Sequence, residues 1–256
     1  MSRTAFSARL IQLGFIAVFG AAWYWSTATG SVSKLLLPEP GAVWLAFSRL
    51  VTTGQFWSAV KVTLTTIMQA YGIALVAGIL AGYLISRSRF LIDVLEPIVA
   101  GFFTIPITLF FPMFILFFGI GIGSKIAYGA TYAFFPIALN TIASFANVDM
   151  HFLRAARSMG ASRWDTFQHV LIPSALPVLL SGMRIAFFIC FASVLGGETL
   201  SAVAGVGRNI ALAAELMESA RMYAWIAFVV LTAITLNLLI SGFEKHLSAR
   251  RDVAWQ

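Results

Sequence analysis

The stretch that decides the fold is 149-DMHFLRAARSMGASRWDTFQHVLIP-173. It is a long polar interruption in a chain that is otherwise mostly apolar. Arg154, Arg157, Arg163, Asp165, Gln168 and His169 fall within it, and the sequence on both sides is apolar. Phe152, Ala155, Ala156 and Met159 stand at i, i+3, i+4 and i+7, which is one face of a helix. Gly160 follows, where a helix C-terminus favours glycine. Ser162 is placed as the N-cap of a second short helix with Trp164, Phe167 and Leu171 on its apolar face. Pro173 is expected to stop that helix and start the next hydrophobic run. The stretch therefore reads as an amphipathic, basic helix–turn–helix held between two apolar segments. Three roles fit that pattern: a solvated loop, a helix lying on lipid, and a docking knob for a partner protein.

Outside this stretch the composition is that of a membrane protein. Of 256 residues, 60% are hydrophobic and 11% charged, against about 25% charged in a soluble domain. The mean hydropathy is +0.90. So little charge excludes a water-soluble globular fold. The 23 Phe and 7 Trp residues suit lipid-facing surfaces and interfacial belts. The net charge of +7 is spread along the chain without a basic tract, so it does not indicate nucleic acid. Cys190 is the single cysteine, lies in an apolar run, and is expected to pack as a small hydrophobe.

Hydrophobic runs place about six spans along the chain. The first, 10–27, is longer than the apolar core of a signal peptide and reads as a retained helix. A turn-rich entry, 34-KLLLPEPG-41, leads to a short amphipathic helix at 42–51 suited to the interface. The second span, 60–85, carries Gly72, Gly78 and Gly82, small residues that let membrane helices approach closely. The third, 98–118, is broken by Pro106 and Pro112, whose missing N–H groups free backbone carbonyls. The fourth is 126–146, the fifth 175–195 and the sixth 223–243. Arg184 lies inside the fifth span, about 16 Å past Pro173 at about 1.5 Å per residue. An ionisable residue at that depth is costly and faces a cavity or a partner. Glu198, in 196-GGET-199, stands at the end of the same span. Pro106, Pro112, Arg184 and Glu198 are accordingly the candidate pathway residues. An amphipathic helix at 209–218 follows, kept out of the membrane by Glu215, Glu218 and Arg221.

Ten of the 17 Lys and Arg residues fall on the side of both termini and the 149–173 stretch. Six, Lys125 among them, fall on the other, and Arg184 is within a span. The excess of positive charge places both termini and the stretch in the cytoplasm, with 206–221 outside.

Several catalytic chemistries are missing. The sequence has no HExxH, no Cys/His ligand cluster and no GxSxG. His151, His169 and His246 are far apart and read as surface histidines. The run 119-GIGIGSK-125 is not a phosphate loop, since Ser124 separates Gly123 from Lys125 and Ile126 follows where Ser or Thr is needed. The chain is thus read as having no catalytic, metal or cofactor site of its own. If it transports actively, a partner or an ion gradient supplies the energy.

The spacing inside the 149–173 stretch resembles the EAA loop of ATP-binding cassette importer permeases. That pattern is E-A-A, three residues, G, nine residues, I-x-L-P. Ala155, Ala156, Gly160 and Pro173 match it in position, Val170 and Ile172 are conservative replacements, and Arg154 stands in place of the Glu. Three further pieces resemble the nitrate, taurine and aliphatic sulfonate branch: 35-LLLPEPGAVW-44, the turn 117-FFGIG-121 with 124-SKI-126, and 197-GETLSAVAGVG-207. The resemblance implies an all-α, polytopic fold of the type I importer permease. Residues 1–57 would be an N-terminal spanning helix with an interfacial helix, and 58–250 the transport core. It implies a homodimer in the bacterial inner membrane with the pathway between two copies. It implies two ATPase subunits that bind ATP and magnesium, and a soluble binding protein outside. Contact with the ATPase would be made through Arg154, Ala155, Ala156, Gly160, Ala161 and Pro173. The branch carries small organic anions such as sulfonates, taurine or nitrate, and some small heterocycles. The competing class is an ion-coupled secondary transporter, which tends to show internal repeats and acidic residues at the midplane. Here the spans hold almost no carboxylates and no clear halves.

Overall fold

The computed structural model describes residues 3–254, with side chains for 11–242 and for 244. Among these, every regular element is helical. In chain order they are α1 (Arg3–Ala28), α2 (Pro40–Leu50), α3 (Gly54–Ser86), α4 (Arg89–Thr104), α5 (Phe111–Phe118), α6 (Ile122–Ala146), α7 (Met150–Ser158), α8 (Arg163–Thr166), α9 (Ile172–Ser201), α10 (Val206–Glu215) and α11 (Ser219–Ala254). By length and composition, four unbroken helices could cross a membrane: Gly54–Ser86, Ile122–Ala146, Arg163–Ser201 and Ser219–Gly242. A fifth crossing is available if the pair Arg89–Thr104 and Ile107–Phe118, bent by 74°, counts as one span. The described residues therefore supply four or five of the six expected crossings by this measure, and α1 (Arg3–Ala28) covers the stretch expected to be the first.

The centre of the bundle is α3, α6 and α9. Small side chains bring them together: Ala70, Ala74, Ala133, Ala186, Cys190 and Val194 are almost wholly buried there. Glycine allows the closest approach. A Cβ on Gly78 would lie 2.7 Å from Ile137 Cγ2, and one on Gly82 would lie 2.6 Å from the Ala138 carbonyl. Gly72 faces no neighbour within 4 Å, so two of the three glycines in that span serve the packing. In water-free surroundings such contact, rather than the hydrophobic effect, is what holds helices together. A second core at one end joins α2, α10 and the first turns of α3 and α11. There Trp225 stacks on Phe56 with ring centroids 5.1 Å apart, beside Val43, Leu50 and Val206. The outer faces are apolar too: Phe15, Phe19, Leu116, Phe117 and Leu238 are all exposed, as lipid-facing or subunit-facing surfaces require.

Three expectations need correction. The third span breaks only once, at Ile105–Pro106, where a 3₁₀ turn (Ile107–Phe110) intervenes. Pro112 lies in the first turn of α5, where a helix has no use for the missing N–H. Pro173 does not stop α8. The chain winds through a π-helical turn, Phe167–Leu171, straight into α9. Proline cannot donate to the carbonyl four residues back, and the wider turn absorbs the mismatch: Ile172 N–H donates to Phe167 O, five residues away. Finally, the fifth span does not end before Glu198, since α9 runs on to Ser201.

Candidate functional site

The loop between α6 and α9 is fixed by its caps. Asp149 accepts the His151 N–H at 2.8 Å and starts α7. At the other end Gly160 adopts φ +76°. Its N–H donates to Arg157 O and that of Ala161 to Ala156 O, both at 3.0 Å. This is the Schellman arrangement, which consumes the last free carbonyls of the helix. One residue later Ser162 opens α8 with a capping box. Asp165 N–H donates to Ser162 Oγ and Ser162 N–H to Asp165 Oδ2, both at 3.1 Å. Sequence reasoning found the Ser162 cap and missed the reciprocal carboxylate, although S-x-x-D is a legible sign of it. The C-cap of α7, Met159, and the N-cap of α8, Ser162, are thus joined by Gly160 and Ala161 alone.

The apolar face of α7 is buried only at Ala156. Phe152 and Met159 are 53% and 86% exposed, and Trp164 on α8 is 67% exposed. Phe152, Ala155, Ala156, Met159, Val170 and Pro173 line an open groove of about 390 Å³. Ala155, Ala156 and Pro173 therefore share one surface, while Gly160 and Ala161 form the turn beside it. Arg154 is exposed and has no ion-pair partner among the described residues.

The candidate pathway residues do not converge. Pro106 sits at the α4–α5 break, beside an apolar cavity of about 360 Å³ walled by Phe102, Ile105, Phe110 and Phe135. Arg184 and Glu198 are 14 positions apart on α9, about 21 Å along it. Arg184 Nη1 pairs with Glu244 Oε2 of α11 at 2.8 Å and with Ser241 Oγ at 3.0 Å. Of the cavity or partner expected for it, the structure supplies the partner, a carboxylate on the neighbouring helix. Glu198 is 2% exposed and caps another helix. Gly207 N–H, in the first turn of α10, donates to its Oε2 at 2.9 Å. Thr63 Oγ1 donates to the same carboxylate, 2.9 and 2.8 Å from its two oxygens, and accepts the Val206 N–H at 2.8 Å. A negative charge at a helix N-terminus meets both the free N–H groups and the positive end of the dipole. Lys125 stands within electrostatic reach of Glu198. It is not the solvated charge of an outside turn: it is 2% exposed, and its Nζ donates to Ile120 O at 2.5 Å. Thr63, Lys125 and Glu244 are the partners that the sequence did not single out.

Residues 74–253 match the family of binding-protein-dependent transport system inner membrane components. The chain belongs to that family. It is the permease component of a binding-protein-dependent ATP-binding cassette importer. The permease is 30% identical to the taurine transport system permease protein TauC of Escherichia coli, over 93% of this chain and 88% of that one. It is 30% identical to SsuC of Bacillus subtilis, named for aliphatic sulfonates transport, over 92% and 86%. It is 28% identical to the riboflavin transport system permease protein RibX of Chloroflexus aurantiacus, over 93% and 87%. In fold it is similar to a chain of the inward-facing MetNI methionine transporter, with a TM-score of 0.60 and 20% identity over 74% of this chain and 93% of that one. A chain of an amino acid transporter crystallised with histidines gives a TM-score of 0.61 at 17% identity, over 79% and 97%. The all-helical permease fold is therefore the one the resemblance implied.

Proposed function

We propose that the permease works as a homodimer that imports a small organic sulfonate, with two ATPase subunits docked on the loops of 149–173. The observation that carries this is the loop itself. It is an exposed apolar groove on a short helix pair whose angle is fixed by a Schellman motif and a capping box. Such a rigid knob can pass the movement of a partner into α9, because α8 continues into α9 without a break. Arg154, Ala155, Ala156, Gly160, Ala161 and Pro173 make or position the contact. ATP and magnesium belong to the partner, and residues 58–250 form the transport core. Both termini and the loop face the cytoplasm, and a binding protein delivers substrate at the α10 end. The pathway runs between two copies beside the break at Pro106. The sulfonate class is supported by the names of two relatives and not by Arg184, whose charge Glu244 neutralises.

The experiment is ATP-driven uptake of labelled taurine and a short alkanesulfonate into proteoliposomes, with and without a separate nucleotide-binding subunit. Uptake is expected only with that subunit and ATP. Uptake driven by an ion gradient alone would replace this reading with secondary transport. Import of another solute class with the ATPase would overturn the substrate alone.

A further inference from the structure

A second groove lies on the other side of α7. The last residues of α3, the end of α6, α7, α8 and the π turn enclose about 700 Å³. Arg87, Arg157 and Arg163 line it, from the C-cap of α3, from α7 and from α8, and no carboxylate does. Asp165, two positions from Arg163, is held by Ser162. None of the three guanidinium groups forms an ion pair or donates a side-chain hydrogen bond among the described residues. The floor is aromatic. Tyr83 packs edge-on against Phe145 and Phe167, with centroids 5.3 and 5.5 Å apart. Arg87 Cζ sits 5.9 Å from the Tyr83 centroid, which holds its planar fork at the groove.

Position decides what the groove would hold. Arg87 follows immediately on α3, whose last residue is Ser86, so the rim lies where a span meets the headgroup layer. Leu84 and Phe90, 58% and 72% exposed, continue an apolar surface on either side of Arg87. Cationic forks at a rim, an aromatic floor and an apolar flank follow the order of groups in a phospholipid. The apolar face of α7, with Phe152 and Met159, points into the other groove, so these arginines are not part of that surface. We propose that the Arg87–Arg157–Arg163 groove binds the phosphate of an anionic phospholipid, which braces the 149–173 loop against the end of α3. Three guanidinium groups offer 15 N–H donors in all, arranged as forks that match phosphate oxygens. Basic pockets between spanning helices are the form that headgroup sites take.

The test uses the full-length protein in detergent, exposed to equimolar phosphatidylglycerol and phosphatidylcholine, with retained lipid counted by mass spectrometry. Phosphatidylglycerol is expected to be enriched, less so at high salt. The enrichment should fall about fivefold for each arginine replaced in Arg157→Gln and Arg163→Gln. Arg157→Lys/Arg163→Lys keeps the charge and should retain part of the preference, which guards against a variant that fails to fold. A parallel arm offers millimolar inorganic phosphate. Equal retention of both lipids, or a preference that survives the Gln variants, would overturn the proposal. So would displacement of the lipid by free phosphate, which would make this a site for soluble anions. Loss of a co-purifying ATPase with unchanged lipid counts would assign the arginines to protein docking and overturn it as well.

Discussion

Arg184 Nη1 on α9 and Glu244 Oε2 on α11 lie 2.8 Å apart, and their side chains are 33% and 17% exposed. The pair ties the last spanning helix to the one that continues from the loop. Removing one partner leaves the other partly buried and alone, which costs more than removing both. Arg184→Ala is therefore expected to destabilise the protein, and Arg184→Ala/Glu244→Ala to recover part of the loss. A double-mutant cycle on thermal unfolding in detergent should give a coupling of about 1 kcal/mol or more. Coupling near zero, with uptake lost in Arg184→Ala alone, would return Arg184 to the transport path.

Gly160 tests the loop. A side chain there would meet nothing within 4 Å, so the constraint is its φ of +76° alone. Gly160→Val forces a β-branched residue into a left-handed conformation, at a cost of about 1–2 kcal/mol. Asparagine tolerates that region far better. Gly160→Val should insert and fold yet hydrolyse ATP without transport, while Gly160→Asn should stay coupled. Equal coupling in the two variants, measured as ATP split per solute imported, would remove the Gly160 turn from the mechanism.

Much of this was legible because it is local. The 3.6-residue period of 152–159, the glycine after it and the serine cap are short-range signals, and each element appears where they put it. The composition alone carried the membrane class. What the sequence hid was pairing across long separations. Glu198 looks like the polar end of a span until Thr63, 135 positions away, is brought beside it. Arg184 looks like a path residue until Glu244, 60 positions away, is brought to it. Pro173 misled for another reason. Proline often ends a helix, but a π turn can move the hydrogen-bond register past it, and nothing in the residue types announces that.

The ends of the spans can be told apart chemically. Ser162 caps α8, which runs into one end of α9, while Met217 follows α10 beyond the other end of α9, and both are exposed. In a Cys190→Ala background, Ser162→Cys and Met217→Cys should react with an impermeant maleimide from opposite faces of sealed vesicles. Cys190 itself is wholly buried and contributes no background in the folded protein. Labelling of both from one face would contradict a cytoplasmic loop with α10 outside.

The Glu198 site makes a sharper stability prediction, because three residues converge on one carboxylate. Gly205 has φ +111°, and a Cβ there would lie 2.4 Å from Glu198 Cδ. Gly205→Ala thus combines backbone strain with a collision that Glu198 can relieve only by swinging its carboxylate off the cap, and about 2 kcal/mol or more of stability should be lost. Thr63→Val keeps the shape but removes a hydroxyl that gives one hydrogen bond and takes another. It leaves the Val206 N–H buried without an acceptor, for about 1–3 kcal/mol. Thr63→Ser keeps the hydroxyl and should cost less than Thr63→Val. Glu198→Gln keeps the shape as well, but its amide puts a donor where the carboxylate has an acceptor oxygen for Gly207 N–H and Thr63 Oγ1. The four variants should melt in the order Gly205→Ala lowest and Thr63→Ser highest, and proteolysis should open first at 202–205, the link that the cap holds down. A Gly205→Ala protein that melts with the wild type and resists cleavage there would show that Glu198 does not cap α10.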